Sequence, residues 1–239
     1  MLKILYEDPE IIVVWKPVGI ESQSSRGFAV DMVSEIKRHI HISSPKAGEP
    51  YLAVIHRLDK PVSGILVYAK TKRTAGLLSK QVSDGLMRKK YLAVVCGKPV
   101  DNSDTLVDYL LKDEKINLSR IVEKGTTDAK RAELSYVVRN SREVEPYGTL
   151  TLMEIQLLTG RHHQIRVQMA GHGMPIWGDN KYNPTFSHFA VPGHTTVPSH
   201  SAAPVHIALA AWELSFVHPV NGKTMTFQEQ PTGEVFRIF

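Results

Sequence analysis

Short apolar runs bounded by turn residues are the feature that most restricts what this chain can fold into. Residues 10–15 (EIIVVW), 64–69 (GILVYA) and 91–95 have the length and β-branched content of strands, and residues 132–139 and 149–157 are two further candidates. Because most of these runs are not joined by helical stretches, the pattern favours an α/β fold of the α+β type. We expect a central, mostly antiparallel sheet with helices and loops around it and an active-site cleft across it.

Helical spacing of apolar residues is confined to a few places. It predicts helices over residues 29–40 and 72–86, and a further helix beginning within residues 164–170. The run HIALAAWEL at residues 206–214 is also helix-like. A strand and a polar hairpin through residues 221–222 are expected to follow it.

Polar, Pro-rich and Gly-rich stretches predict the connections. Residues 41–50 are expected to form a loop, residues 99–130 to alternate short strands with charged turns, and residues 140–148 to form a polar turn. Residues 183–203 have no period and are dominated by Pro, His, Ser and Thr, which predicts a long mobile loop. Neither an internal repeat nor a clear linker divides the sequence, so we expect residues 1–239 to form a single domain.

The composition argues against several kinds of site. The only cysteine, Cys96, cannot form an internal disulfide, and the 11 histidines show no HExxH or equivalent spacing. Neither a P-loop nor a GxGxxG after a strand is present, so we expect no metal and no cofactor. No apolar run approaches the ~20 residues that span a bilayer, and the N-terminus lacks a signal peptide's apolar core. We expect a soluble, cytoplasmic protein whose net charge of +5 permits a polyanionic partner.

The segment most specific for chemistry is HRLDKPVSGILVYAK, residues 56–70. Arg57 and Asp59 lie two apart on an extended stretch, so their side chains project to the same side. The turn at residues 61–64 and an apolar strand follow, which would support a carboxylate exposed in a cleft. On this pattern alone, a surface ion pair at the entry of a strand is an equally good interpretation.

This segment closely resembles the signature of the RluA family of RNA pseudouridine synthases. That signature is His-Arg-Leu-Asp, two variable residues, Ser/Thr-Ser-Gly and an apolar strand. Three further segments resemble the family in the same order: EDPEIIVVWKPVGI (7–20), RKKYLAVVCG (88–97) and LLTGRHHQIRVQMAGHGMPIWGD (157–179). The run HIALAAWELSFVHPV (206–220) is similar to the family's closing stretch, so the resemblance covers nearly the whole chain.

The resemblance implies an enzyme that isomerises uridines in ribosomal or transfer RNA to pseudouridine. It places Asp59 at the catalytic aspartate, which acts on a uridine flipped out of its stack. It places Tyr91 at the active-site tyrosine, which stacks on the uracil and helps to remove the proton from carbon 5, and Arg166 at the basic partner of the aspartate. It further implies substrate contacts for neighbours in the same segments: Arg57, His56, Arg161, His163 and Gln164.

Each of these residues also has a plainer interpretation. Tyr91 by itself is a half-buried strand aromatic, and Arg166 is a surface or helix-cap residue. His163 is interpreted as a packing or hydrogen-bonding residue of its segment. The basic run at residues 88–90 is either a phosphate contact or a solvated strand entry.

The sequence departs from the family pattern at three positions. Val62 stands where many members have Thr, His162 replaces the usual Thr, and Gln168 replaces a frequent His. None of the three belongs to the Asp–Tyr–Arg set. We therefore expect the chemistry to be retained, with contacts to RNA altered at residues 162 and 168.

Two other classes of protein stay open. A non-catalytic RNA-binding module would keep the basic surface without needing Asp59, Tyr91 and Arg166 together. A carboxylate-based nucleosidase or glycosidase would normally require a second acidic residue near the first, and we expect no such residue in the matching segments. The preferred interpretation is a monomeric enzyme with an RNA partner. Because the family's first strand begins by residue 10, we expect no N-terminal accessory RNA-binding domain.

Overall fold

The computed structural model describes residues 2–24, 30–43, 48–186 and 206–239. Most of the loop predicted at 183–203 and part of the loop predicted at 41–50 lie outside the described residues. Within the described ranges the chain forms, in order, β1 (Lys3–Glu7), β2 (Ile11–Lys16), α1 (Met32–Ser43), β3 (Ala53–Val54), β4 (Ser63–Ala69), α2 (Lys72–Ser83), β5 (Arg88–Cys96), β6 (Ser103–Asp113), β7 (Leu118–Val122), β8 (Lys130–Val144), β9 (Gly148–Leu157), α3 (Gln164–Gly171), β10 (Leu209–Val217), β11 (Thr224–Gln228) and a short 3₁₀ helix (Glu234–Ile238).

Contacts divide the chain into two compact units. The first contains residues 1–89 and 210–231, and the second contains residues 90–209 and 232–239. In the first unit the strand order is β1-β2-β4-β10-β11, with β3 paired to the end of β4. Its pairs are antiparallel except for β4 with β10, which run parallel. In the second unit the order is β5-β9-β8-β6-β7, and each pair is antiparallel. This mixed, mostly antiparallel arrangement confirms the predicted α+β class.

The first unit is built around β2 and β4. Residues 11–14 and 65–69 are at most 1% exposed, so both faces of these strands are buried. Burial on both faces explains why their sequences are continuous apolar runs rather than alternating patterns. One face packs with α2 and β10 in a cluster that includes Ile11, Val13, Ile65, Val67, Leu78, Leu214 and Phe216.

The second unit packs α3 against its sheet. Val167 of α3 contacts Leu110 of β6 and Ala132 of β8, with Tyr182 against the same cluster. At the end of α3, Gly171 approaches Ile121 of β7 so closely that a Cβ would collide with the Ile121 side chain. This packing fixes the helix that carries Arg166.

Several predicted elements are confirmed. The helices predicted at 72–86 and within 164–170 are α2 and α3, and the hairpin through residues 221–222 joins β10 to β11. The helix predicted at 29–40 is α1, which begins later, at Met32. Its start is set by Asp31, whose carboxylate accepts the Ser34 N–H at 2.7 Å and thereby caps the first turn.

Three predictions of local structure were wrong. The helix-like run at 206–214 is instead largely strand β10, because pairing with β4 and β11 outweighs the high helix propensity of Ala and Leu. The region 99–130 contains β6, which is 11 residues long rather than short. Most of the polar turn predicted at 140–148 continues the β8–β9 ladder, in which Val144 pairs with Gly148. Exposed ladder ends carry polar residues, so polarity alone does not locate a turn.

No helix in the described parts of the chain is both long and apolar enough to cross a bilayer.

Candidate active site

Asp59 lies in a segment of the first unit that leads into β4, residues 56–62, called here the Asp59 segment. Arg57 is exposed, Leu58 is buried and Asp59 is half-buried, which is the alternation expected of an extended stretch. The Val62 N–H donates to the Asp59 carbonyl at 3.0 Å and closes the turn after the aspartate. The carboxylate is therefore carried on a short turn at the entry of a buried strand.

Gly64 explains the Ser-Gly pair in the signature. Its φ of +145° lies in a region that favours glycine. A Cβ at this position would lie 2.5 Å from the Cβ of Ala211 and 2.6 Å from its backbone N and O atoms. The parallel pairing of β4 with β10 thus requires the absence of a side chain immediately after the Asp59 segment.

Lys16, from the Lys-Pro-x-Gly turn, is a buried cation beneath this segment. Its side chain is 0% exposed, and Nζ donates to the carbonyls of Pro17 at 3.1 Å, Ile20 at 2.7 Å and Lys60 at 3.1 Å. Burial lowers the pKa of Lys16 to about 8, and the charge of Asp59 opposes that shift. The sequence comparison did not assign a role to this lysine.

His56 is buried at the start of the Asp59 segment. Its Nε2 accepts the Val67 N–H at 3.4 Å, a long bond that links the segment to β4. Burial and the charge of Lys89 lower the pKa of His56 to about 3, so the ring is neutral at physiological pH.

Tyr91 belongs to the second unit and lies on β5. It is 5% exposed and pairs with Ile155 of β9. Its neighbour Lys90 lies 3.5 Å from the carboxylate of Glu154, whereas Arg88 at the start of β5 is exposed.

Arg166 lies on α3 of the second unit and is held by a buried carboxylate. Its Nε donates to Asp179 at 2.8 Å and its Nη2 at 2.6 Å, which is a bidentate pair. The two side chains are 3% and 0% exposed. The ring of Tyr182 lies 5.2 Å from the guanidinium carbon, within the range of a cation–π contact. Asp179 also accepts the backbone N–H groups of Lys181 and Tyr182, which fixes the loop that presents it.

Asp179 is the partner of Arg166 that sequence reasoning missed. It ends the same segment that contains Arg166, so the expectation that these segments hold no second acidic residue was wrong. The sequence offered one signal for this residue: an acidic residue directly after Gly178, in the segment that had already been matched to the family at Arg166.

The residues around the start of α3 form a hydrogen-bonded network. The Gln164 Oε1 accepts from the Arg161 N–H and from the Thr159 hydroxyl, each at 2.9 Å, and its Nε2 donates to the Glu133 carbonyl at 3.0 Å. The exposed Arg161 donates from Nε to the Arg131 carbonyl at 2.9 Å. These bonds fix the chain as it enters the helix of Arg166.

His163 sits immediately before α3 with a φ of +53°, an uncommon backbone conformation for a residue other than glycine. Its Nδ1 lies 2.8 Å from the Tyr182 hydroxyl, and its ring stacks on His162 at a centroid distance of 3.7 Å. Burial and the charge of Arg166 are the leading causes that lower the pKa of His163 to about 2. The ring is therefore neutral, as its packing interpretation requires.

Two departures from the family pattern have defined partners. His162 is anchored to Ser119 of β7, whose Oγ lies 2.9 Å from Nδ1 and donates to the His162 carbonyl at 2.9 Å. Gln168 donates from Nε2 to the Asp108 carboxylate at 2.7 Å. Gln168 thus joins α3 to the sheet of the second unit, and His162 joins the chain just before α3 to the same sheet.

Within the described ranges, no three His, Cys, Asp or Glu side chains lie together in a way that could hold a metal ion. Three of the scattered histidines, at positions 188, 194 and 200, lie outside those ranges.

The family described as RNA pseudouridylate synthase matches residues 10–171, a span that contains Asp59, Tyr91 and Arg166. The chain belongs to this family. The match confirms the resemblance first recognised in the four sequence segments.

Curated relatives among the pseudouridine synthases cover nearly all of the chain. It is 32% identical to the ribosomal large subunit pseudouridine synthase D of Nitrosomonas europaea, over 95% of this chain and 61% of that protein. It is 30% identical to the ribosomal large subunit pseudouridine synthase D of Zymomonas mobilis, over 100% and 72% respectively. It is 31% identical to the tRNA pseudouridine synthase C of Pectobacterium carotovorum, over 95% and 58%. The chain therefore spans roughly three fifths to three quarters of the length of these relatives.

Solved structures of pseudouridine synthase domains share the fold. Human RNA Pseudouridylate Synthase Domain Containing 4 superposes with a TM-score of 0.76 at 23% identity, over 99% of this chain and 91% of that chain. Human RNA Pseudouridylate Synthase Domain Containing 1 gives a TM-score of 0.71 at 20% identity, over 97% and 84%. These similarities confirm the predicted pseudouridine synthase fold.

Proposed function

We propose that this protein isomerises uridine in RNA to pseudouridine, with Asp59 as its nucleophile. The observation that carries the proposal is the family match across residues 10–171, which includes Asp59, Tyr91 and Arg166. Relatives named for ribosomal and transfer RNA support structured RNA as the substrate.

The reaction detaches uracil from its sugar, turns it and rejoins it through carbon 5. No group is added or removed overall, so no second reactant is consumed. The target uridine leaves its stack to reach Asp59, which costs a few kcal/mol in a duplex and less in a loop or bulge. The exposed Arg57, two residues before the nucleophile, occupies the space that the flipped base leaves.

Tyr91 and Arg166 complete the proposed set. The Tyr91 ring stacks on the uracil, and its hydroxyl takes part in removal of the proton from carbon 5. Arg166 supplies the positive charge that stabilises the Asp59 carboxylate, because a guanidinium stays charged when buried. Its existing pair with Asp179 gives this guanidinium a fixed orientation.

The proposed RNA contacts fall into two groups. Arg57 and Arg161 are exposed, which supports direct contact with RNA. His56, His163 and Gln164 are buried and hydrogen-bonded within the protein. In the proposal these three act by holding the segments that carry Asp59 and Arg166.

The test is tritium release from RNA labelled at carbon 5 of uracil. We expect Asp59→Asn to abolish release while RNA binding and the thermal unfolding profile stay close to wild type, because only one carboxylate oxygen is replaced. Asp84→Asn, at the exposed C-cap of α2, is the matched control and is expected to release tritium normally. Wild-type-like release by Asp59→Asn would contradict the mechanism. RNA binding without release by the wild-type protein would favour a non-catalytic RNA-binding module instead.

A further inference from the structure

The chain that leaves β2 is hydrogen-bonded to the backbone of the Asp59 segment. Ser22 is 3% exposed, and its Oγ accepts the Leu58 N–H at 3.0 Å and donates to the Leu58 carbonyl at 3.0 Å. One hydroxyl thus satisfies both backbone groups of the residue that precedes the aspartate. Leu58 belongs to no strand, so these two bonds replace the strand pairing that would otherwise satisfy and fix its backbone groups.

Ser22 is itself held from β4. The hydroxyl of Tyr68, which is 0% exposed, donates to the Ser22 carbonyl at 3.0 Å. On the other side of the aspartate, the Gly19 N–H donates to the Lys60 carbonyl at 2.9 Å, next to the Lys16 ammonium. The loop at residues 16–22 is therefore hydrogen-bonded to the backbone at positions 58 and 60, on both sides of Asp59.

We propose that Ser22 is a positioning residue for Asp59, acting through its two hydrogen bonds to the Leu58 backbone. The proposal rests on the proposed function of Asp59 as a nucleophile. Asp59 is half-buried at the start of a short turn, and the direction of its carboxylate depends on how the backbone at residues 58–60 places the Cα–Cβ bond. Displacement of a reacting group by about 1 Å can cost about 100-fold in rate.

The chain provides a matched control in the same unit. Ser34, at the start of α1, makes the same pair of bonds to one backbone residue. Its Oγ accepts the Asp31 N–H at 3.0 Å and donates to the Asp31 carbonyl at 2.9 Å. Ser34→Ala removes the same chemistry as Ser22→Ala, but the two bonds that it removes are to Asp31 and not to the backbone next to Asp59.

The experiment compares the kinetics of Ser22→Ala, Ser22→Thr and Ser34→Ala in the tritium-release assay, with amide hydrogen exchange at Leu58 as a second measurement. For Ser22→Ala we expect kcat to fall by about 10- to 100-fold while KM stays within about twofold. The Asp59 carboxylate would be less well oriented, whereas RNA binding would be unchanged. The Leu58 amide should exchange faster in this variant. Ser22→Thr keeps the hydroxyl and should retain most of the kcat, and Ser34→Ala should match wild type at both readouts.

Two results would overturn the proposal. One is faster exchange at Leu58 in Ser22→Ala with an unchanged kcat, which would show that the two bonds from Ser22 to Leu58 do not affect the reaction. The other is an equal loss of kcat in Ser22→Ala and Ser34→Ala, which would indicate a general structural effect. If Ser22→Ala does not fold, Ser22→Cys keeps the side-chain volume with much weaker hydrogen bonds, and the same fall in kcat is expected. An inactive wild-type protein would instead contradict the proposed function itself, and the positioning role with it.

Discussion

Asp59 in the first unit and Arg166 in the second are held by different kinds of interaction. The Asp59 segment is fixed through its backbone, by the hydroxyl of Ser22 and by donors that meet at the Lys60 carbonyl. Arg166 is fixed through its side chain, by a bidentate pair with the buried Asp179. The bonds to the Asp59 segment all end on backbone groups and control its geometry, whereas the pair of Arg166 and Asp179 also has to offset the desolvation of two ions. Changes to the Arg166–Asp179 pair should therefore lower stability as well as activity, whereas changes to the backbone contacts of Asp59 should appear mainly in catalysis.

The largest expected effect on stability is that of Asp179→Asn. Asparagine keeps an oxygen for the backbone groups of Lys181 and Tyr182 but removes the negative charge that the bidentate pair places against the buried Arg166 guanidinium. We expect the free energy of unfolding to fall by roughly 3–5 kcal/mol, measured by urea denaturation. Arg139→Met breaks the exposed pair with Glu154 and is the control, with an expected loss of at most about 1 kcal/mol.

A double variant tests whether the loss of stability in Asp179→Asn comes from the uncompensated charge of Arg166. Arg166→Met combined with Asp179→Asn removes both charges and keeps an oxygen for the backbone groups of Lys181 and Tyr182, and it should recover part of the stability lost in Asp179→Asn alone. A loss in Asp179→Asn no greater than that of the Arg139 control would contradict the assignment of Arg166 and Asp179 as a tightly coupled buried pair.

Lys16 is expected to produce a pH-dependent effect of intermediate size. Burial lowers its pKa to about 8 from an ordinary value near 10.5, so below pH 8 the folded protein holds a charge that the unfolded chain solvates better. Between about pH 8 and 10.5 the unfolded chain binds the additional proton, and stability therefore rises with pH across this window. The gain should approach about 3 kcal/mol, at about 1.4 kcal/mol per pKa unit.

Urea denaturation of wild type and Lys16→Met at several pH values measures this contribution. As the pH rises from 8 to 10, the free energy of unfolding of wild type should increase relative to that of Lys16→Met. Lys80→Met, which removes an exposed lysine of α2, serves as the control and should follow the wild-type pH dependence. Parallel curves for wild type and Lys16→Met would show that Lys16 keeps an ordinary pKa in the folded protein.

The smallest expected effect is at Gly64. Gly64→Ala places a Cβ against Ala211 and should lower the free energy of unfolding by about 1–3 kcal/mol, because the backbone atoms it meets cannot move aside easily. Gly76→Ala in α2 is the matched control, since a Cβ there meets nothing within 4 Å. The control should gain about 0.5–1 kcal/mol from the higher helix propensity of alanine. Denaturation curves in which the two variants behave alike would contradict the close approach of β4 and β10.

Much of the fold could be predicted from local pattern, and the exceptions share a cause. The continuous apolar runs of β2 and β4 predicted buried strands correctly, because the sequence of a strand buried on both faces is distinctive. The run at 206–214 was assigned wrongly because its alanines suit a helix locally, whereas in the folded protein Ala210 and Ala211 pair with Ser63 and Gly64 of β4. Pairing between distant strands is absent from any local window.

For the candidate site, the matched motifs predicted which segments matter but not how they are held. Asp59, Tyr91 and Arg166 were identified by their positions in the motifs, and their catalytic roles remain predictions for the tritium-release assay. Asp179 was overlooked even though it lies in the Arg166 segment, since nothing in the spacing of the two residues indicates a pair. His56, His163 and Gln164 were predicted as RNA contacts, and their burial came from the structure alone.

The sequence by itself determined the family, the α+β class and the residues on which the chemistry is expected to depend, because these follow from motif identity and hydrophobic pattern. Only the tertiary structure decided the partners of the buried polar groups. Arg166 meets Asp179 across 13 residues, and Ser22 meets Leu58 across 36. A buried donor or acceptor must find a partner wherever the folded chain brings one within hydrogen-bonding distance. That distance is set by packing of the whole unit and not by the residues on either side.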